Sequence, residues 1–219
     1  MKFSKDEIRR AMMLYAVTDR MWLKEGEELS NVCQKALENG VTFLQIREKD
    51  LDEVDFEREA KELKILCEGY KVPFVVNDNI EIALKIDADG VHVGQSDIKG
   101  RDIRAIIGPN KILGISAGTV EEAIDAQKAG ADYIGVGAVF GTSTKKNAKH
   151  VSVEKLREIS KAITIPVVAI GGISKDNLSQ LSGSEIDGVA VVSAIFAAEN
   201  IEEATTELLE LAHTIISNG

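Results

Sequence analysis

No run of apolar residues in this chain approaches the roughly 20 that a membrane-spanning helix needs, although 44% of its 219 residues are hydrophobic. The apolar residues are therefore available for a core. Cysteine is scarce too: the 2 cysteines, Cys33 and Cys67, form no CxxC pair and have no neighbouring histidines, so buried reduced thiols are expected in place of a disulfide or a zinc site. With only 3 prolines and no Ser/Gly-rich or low-complexity tract, nothing reads as a linker, and one domain covering 1–219 is expected. Basic residues are outnumbered 26 to 36, a formal charge of -10 that repels nucleic acid unless a basic groove offsets it. No such groove is evident. The one short cluster, Lys145, Lys146 and Lys149 with His150, suits a small anion. Residues 1–13 lack the apolar segment and cleavage site of a secretory signal, so a cytoplasmic location is expected.

What the chain does contain is an alternation of short β-branched runs with amphipathic helical stretches. Between 73 and 97, two such runs (73–76 and Gly90–Val93) flank a helical spacing of Ile80, Ala83 and Leu84, too long for a hairpin. This is a βαβ unit, and its strands are parallel. Ser4-Lys-Asp-Glu7 has the pattern of a capping box and predicts a short N-terminal helix. Strands are predicted at 14–17, 41–46, 73–76, 90–93, 111–115, 133–136, 166–170 and 188–192. Helices are predicted at 27–38, 52–67 (closed by Gly69), 79–86, 98–107, 152–162 and 201–216, with one more opened by a second capping box, Thr119-Val-Glu-Glu122, and a brief one capped by Ser174. A faint repeat runs through alternate strands: Asp89-Gly-Val-His-Val93, Asp132-Tyr-Ile-Gly-Val136 and Asp187-Gly-Val-Ala-Val191. Eight units of about 27 residues predict an α/β fold, a (β/α)8 TIM barrel with a short N-terminal helix. An open doubly wound sheet lacks support, because Tyr15-Ala-Val-Thr-Asp19 stands where its glycine-rich fingerprint would be.

In such a barrel the active site is assembled from the residues just past the C-terminal end of each strand. Here that set is Gln45, Arg47 and Lys49; Asn77 and Asp78; Asp97; Ser116; Thr142, Thr144 and Lys145; Gly171 and Gly172; Val192 and Ser193. It holds no Ser/His/Asp triad, no cysteine nucleophile and no pair of glutamates. Asp78 and Asp97, past the ends of neighbouring strands and beside the Asn77 amide, suit a magnesium ion that keeps waters and grips a phosphate; helix capping by Asp78 and turn closure by Asp97 are the plain alternatives. Gln45, Arg47 and Lys49 alternate at the strand period and would present two cations to phosphate oxygens, unless Arg47 simply pairs with a surface glutamate. Gly141-Thr-Ser-Thr-Lys145 lies in the long loop 137–149, expected to be mobile until a diphosphate orders it, although GxxxxGK[ST] is absent. Gly171-Gly172 with Ser174, together with Val192-Ser193, offers a phosphate site after strands seven and eight. The rim thus implies two phosphorylated substrates. His92 lies mid-strand and is expected to be a hydrogen-bonded interior residue.

Seven motifs, QIREKD at 45–50, VVNDN at 75–79, GVHVGQSD at 90–97, GISAGT at 114–119, TSTKK at 142–146, AIGGI at 169–173 and VVSAIF at 191–196, resemble in order and spacing the thiamine phosphate synthase family over nearly the whole chain. The resemblance implies a transferase of thiamine biosynthesis that joins 4-amino-2-methyl-5-hydroxymethylpyrimidine diphosphate to a thiazole phosphate, with Mg2+ as cofactor and diphosphate as the second product. It implies that Gln45, Arg47, Lys49 and Asn77 hold the pyrimidine diphosphate, Asp78 and Asp97 the magnesium, and Ser116 and Lys145 further substrate groups. Thr142, Ser143, Thr144, Gly172, Val192 and Ser193 would contact the thiazole phosphate, and Arg47, Lys49, Ser116 and Lys145 would form the catalytic set. In the family's mechanism diphosphate departs first and the thiazole nitrogen captures a pyrimidine carbocation, which requires no general base. Gly118 stands where the family commonly has histidine and Gly141 where it commonly has proline, which bears on the shape of two loops. A thiazole tautomerase-like isomerase, or a noncatalytic phosphate-binding barrel, is the alternative; the isomerase would have little use for cations at 47 and 49 or carboxylates at 78 and 97. The expected partners are these small molecules, with no nucleic acid and no membrane, and a homodimer is left open.

Overall fold

The computed structural model describes residues 2–141 and 150–216. Eight strands, β1 (Leu14–Val17), β2 (Phe43–Ile46), β3 (Phe74–Asn77), β4 (Gly90–Val93), β5 (Ile112–Ala117), β6 (Tyr133–Val136), β7 (Val167–Ile170) and β8 (Gly188–Val191), pair in parallel, each with the next, and β8 returns to β1. The closed (β/α)8 barrel expected from the eight-fold alternation is the fold found. Around it run α1 (Lys5–Ala11), α2 (Leu29–Glu38), α3 (Glu53–Tyr70), α4 (Ile80–Lys85), α5 (Gln95–Ile98), α6 (Ile103–Ile107), α7 (Val120–Lys128), α8 (Val153–Ala162), α9 (Ser193–Phe196) and α10 (Ile201–Ile216). Short 3-10 turns occupy Arg20–Trp22 and Leu178–Leu181.

Because successive strand residues point to opposite faces, each strand contributes to two cores. Tyr15, Val17, Phe43, Val75, Ile112, Tyr133, Val168 and Ala190 fill the barrel interior. Their neighbours, such as Leu14, Ala16, Leu44, Ile46, Phe74 and Val76, pack outward against the helices. α1, which leads straight into β1, adds Ile8 and Met12 to the interior cluster, so it plugs the end of the barrel where the strands begin. Its capping box is present: Ser4 Oγ accepts from Glu7 N, and Glu7 accepts from Ser4 N at 2.7 Å.

The repeated aspartates share one role. Asp89 accepts the N–H of Phe74 (3.0 Å), Asp132 that of Leu113 (2.8 Å) and Asp187 that of Val167 (2.8 Å), so each acid before an even strand ties down the start of the strand before it. Each also has a cation: Lys2 on Asp89 (3.2 Å), Arg104 on Asp132 (2.7 Å) and Arg9 on Asp187.

Four local expectations need correction. Gly69 does not end α3; the helix continues to Tyr70, and Lys71 takes the left-handed cap at φ 58, from which Val72 N reaches back to Cys67 O (3.0 Å). The stretch 98–107 is two helices, broken at Gly100 (φ 73) and restarted by Asp102, whose side chain accepts from Ala105 N. Thr119 caps α7, yet Glu122 completes no capping box, because its carboxylate takes the N–H of Gly118 at 2.7 Å. Ser174 starts no α-helix: Asn177 Oδ1 accepts the Ser174 N–H, and a 3-10 turn comes next.

The Asp132 carboxylate is nearly buried and serves two donors, so Asp132→Ala should cost about 1–3 kcal/mol by leaving the Leu113 N–H unpaired. The exposed pair of Asp125 with Lys128 sets the contrast: Asp125→Ala should stay within about 0.5 kcal/mol. Urea denaturation of the two variants beside wild type measures both; equal losses would contradict this role for the repeated aspartates.

Candidate active site

The strand ends at one rim carry most of the residues picked out from the sequence. Gln45 lies two positions beyond Phe43 on β2, so it also points inward; it is buried, and its Nε2 donates to Tyr15 Oη. From there hydrogen bonds continue across the interior: Tyr15 Oη to Tyr133 Oη (2.8 Å), Tyr133 Oη to His92 Nδ1 (3.0 Å) and His92 Nε2 to Ser116 Oγ (3.0 Å). His92 is thus the interior hydrogen-bonded residue that its mid-strand position suggested. Burial pushes the Tyr15 and Tyr133 phenols well above their ordinary range, so both are neutral at physiological pH. Gln95, on α5, donates to the backbone oxygen of Ser116 at 2.6 Å.

Beyond β2 the chain turns where Arg47 N donates to the buried Thr18 hydroxyl (2.9 Å). The Arg47 guanidinium sits 3.8 Å from Asp19 Oδ2, an aspartate where a surface glutamate was the plain expectation. Glu48 turns the other way. Its carboxylate is buried against Arg20 (2.7 Å), and Arg20 also holds Glu59. Burial raises the Glu48 carboxyl above its usual range, with Arg20 drawing it back. Glu48 Oε1 and Trp22 Nε1 are buried without a partner among the described residues.

Lys49 Nζ lies 2.6 Å from Asp78 Oδ2, joining the segments after β2 and β3. Asp78 adopts φ 60, a conformation that aspartate tolerates better than most side chains, and its N–H bonds to His92 O (2.9 Å), extending the β3–β4 ladder by one rung. It does not cap α4; Asn79 does, through Ile82 N at 2.9 Å. Asn77 is the last residue of β3 and half-buried. Asp97 Oδ2 accepts the N–H of Gly94 at 2.9 Å, the turn-closing role weighed against metal binding. Among the described residues no group of three or more His, Cys, Asp or Glu is arranged to hold a metal.

On the far side of the rim, Gly172 adopts φ 66, and a Cβ there would overlap the backbone of Phe140 and Gly141. Glycine is required for this approach: Val139 N bonds to Ile170 O (3.0 Å) and Phe140 N to Gly171 O (2.9 Å), strapping the segment after β6 onto the end of β7. Val192 precedes the single turn of α9, which opens with an exposed Ser193. Thr142, Ser143, Thr144 and Lys145 lie outside the described residues. A side chain at Gly141 would project into open space, and Gly118 has its N–H held by Glu122.

Tyr15, Tyr133 and the Arg20–Glu48–Glu59 cluster were not singled out from the sequence. The tyrosines carried a usable signal: each occupies an inward strand position, Tyr15 in register with Phe43 and Tyr133 in register with Gly114.

Comparison with known proteins agrees with the motifs. The sequence model of the family described as thiamine monophosphate synthase matches residues 14–195. The chain is 50% identical over 198 residues to a thiamine-phosphate synthase of Ruminiclostridium cellulolyticum, covering 90% of this chain and 94% of that one. It is 46% identical over 195 residues to one from Clostridium tetani, covering 89% and 93%. Its fold superposes on a thiamine phosphate pyrophosphorylase from Pyrococcus furiosus with a TM-score of 0.87 at 38% identity, covering 95% of this chain and 99% of that one. With a family model spanning most of its length and relatives this similar over nearly all of it, the chain belongs to the thiamine monophosphate synthase family of transferase enzymes.

Proposed function

We propose that the protein joins the aminopyrimidine diphosphate to a thiazole phosphate at this rim, forming thiamine phosphate and releasing diphosphate. The observation that supports this most directly is the Lys49–Asp78 pair, a cation and a carboxylate from adjacent strand ends in contact at the mouth of the barrel. Such a pair is neutral as a unit. A diphosphate arriving there draws Lys49 to its oxygens and leaves Asp78 to be balanced by a new positive charge. Mg2+ fits that demand: a carboxylate has lone pairs beyond those engaged by Lys49 or the Gly94 N–H, and Asp78, Asp97, water and a phosphate make a hard oxygen set. When bound, the ion supplies positive charge to the departing diphosphate.

The remaining work falls to the chain. Arg47, with its backbone held at the turn by the bond from its own N–H to Thr18, offers a guanidinium fork to two phosphate oxygens. Lys49 and Lys145 add point charges where negative charge grows as the C–O bond breaks. Gln45, Asn77 and Ser116 hold the pyrimidine. Gly172, Val192 and Ser193, with Thr142, Ser143 and Thr144, hold the thiazole phosphate. The attacking thiazole nitrogen carries no proton, so no general base is needed.

Diphosphate release from the two substrates, with and without Mg2+, tests the reading; no release with both present would overturn it. Asp78→Asn and Asp97→Asn should each lower turnover by about 10²–10³-fold, the scale of losing a preorganised charge contact, and raised Mg2+ should restore part of it. Wild-type rates at limiting Mg2+ would remove both aspartates from the metal set.

The two ends of the site should separate kinetically. Lys145→Ala should reduce kcat more than it raises KM for thiazole phosphate, since its charge matters most as diphosphate leaves. Ser193→Asp should raise KM for thiazole phosphate first, through repulsion of the monoester. Initial rates with one substrate varied and the other saturating provide the check, and an unchanged thiazole phosphate dependence in Ser193→Asp would place that phosphate elsewhere.

A further inference from the structure

We propose that Tyr15, Tyr133 and His92 are positioning residues: the buried hydrogen-bond chain they form runs in one direction from Gln45 to Ser116, fixing Gln45 as an acceptor and Ser116 as a donor towards the pyrimidine. The inference deepens the functional reading above and rests on it for the identity of the ligand.

The direction comes from counting protons. Gln45 uses an Nε2 hydrogen on Tyr15 Oη. A phenol has a single proton; either hydroxyl could donate across the 2.8 Å between Tyr15 and Tyr133, and with Tyr15 accepting from Gln45 we assign that bond to the Tyr15 proton. Tyr133, fully buried, then gives its own proton to His92 Nδ1 at 3.0 Å. With Nδ1 accepting, the imidazole carries its proton on Nε2 and donates to Ser116 Oγ at 3.0 Å. Ser116 therefore receives on its inner side and keeps its O–H for the rim. Gln45 gives an N–H inward and keeps Oε1 as its acceptor. A 4-aminopyrimidine presents an NH2 donor beside a ring-nitrogen acceptor, which matches one carbonyl and one hydroxyl proton. A pyrimidinone reverses that pattern, and reversing the chain would require every proton in it to move.

The barrel makes room for this chain at specific positions. Gly114 on β5 pairs with His92 on one side and Tyr133 on the other. A Cβ on Gly114 would overlap Tyr133 Oη and come within 2.5 Å of His92 Nδ1, in the middle of their hydrogen bond. At Gly135 it would lie 3.2 Å from His92 Cε1. The phenol rings are held as well: Phe43 lies with its centroid 4.5 Å from Tyr15 and 5.5 Å from Tyr133, so neither hydroxyl can swing to another partner without unpacking an aromatic cluster.

Two measurements test the proposal. The first needs no substrate: 15N NMR of the histidine-labelled protein, with only 3 histidines and His92 assigned by its loss in His92→Asn, should show protonated Nε2 and bare Nδ1 at neutral pH. A protonated Nδ1 in wild type would overturn the direction of the chain. The second is a double-mutant cycle on diphosphate release. Tyr133→Phe should lower kcat/KM for the pyrimidine diphosphate about tenfold and leave KM for thiazole phosphate within about twofold. In a Ser116→Ala background the same change should have an effect below about twofold, because the residue it acts through is gone. Full additivity would assign Tyr133 to packing alone and overturn the positioning role. Absence of turnover in wild type, with the expected imidazole tautomer, would overturn the functional reading and leave the chain's direction standing.

Discussion

Eight parallel strands close into a barrel only if the side chains they turn inward fill it, and in this protein the filling is not hydrocarbon throughout. Two phenols, an imidazole, an amide and a hydroxyl lie inside or at the mouth. Each would cost several kcal/mol if buried without a partner, so each depends on the next. That mutual dependence constrains the neighbours as strongly as the chain itself. Glycine at 114 and 135 leaves the space it occupies, Phe43 wedges both rings, and Ile8 and Met12 of α1 close the floor beneath. The polar chain also links opposite sides of the barrel, from β2 through β1 and β6 to β4 and β5. Residues far apart in sequence are thereby held in one frame at the rim.

Charge is sorted between the two ends of the barrel. At the end where strands begin, Asp89, Asp132 and Asp187 are each satisfied twice, by a strand N–H and by a cation. Their lone pairs are committed to the fold. At the other end, among the described residues, Lys49 and Asp78 pair with each other, Asp97 holds one backbone N–H, and Arg47 stands 3.8 Å from the carboxylate of Asp19. These contacts are partly exposed and weak in water, so on the proposed reading a diphosphate with its cation would replace them at small cost. The same acidic chain thus has a stabilising end and a responsive one.

The fold was legible because its signals are local. Period-two runs, helical spacing and the capping box at Ser4 each depend on a few consecutive residues, and the structure bears them out. Errors arose where a local rule met a tertiary demand. Gly69 looked like a helix stop, but the burial of Val72 requires the reversal two residues later, at Lys71. Glu122 looked like half of a capping box, yet the N–H of Gly118, at the strand end, takes its carboxylate. In the site, polar residues after strands were visible as a group, since a parallel barrel delivers them all to one rim. Which of them engage each other was not visible. Asp19 opposite Arg47, or Glu48 turned back to Arg20, depends on side-chain directions across strands that no single stretch encodes.

His92 shows where that limit lies. Its mid-strand position fitted an interior hydrogen-bonded role equally well with or without a connection to the substrate. What distinguishes the two is the residue opposite on each side. A glycine beside a histidine leaves a cavity unless a neighbouring strand fills it, and the aromatic residue in register with Gly114 is Tyr133, whose hydroxyl reaches the space. The Asp-Tyr-Ile-Gly-Val136 segment, which as a sequence repeat matched Asp-Gly-Val-His-Val93, places tyrosine where that segment has glycine and glycine where it has histidine. Across the barrel the difference is complementary: large and polar on β4 opposite small on β5, then large on β6 at the level of the first gap. Alternation of size between adjacent strands lets a barrel interior pack, and here the same alternation brings Tyr133 Oη, His92 and Ser116 into a single line.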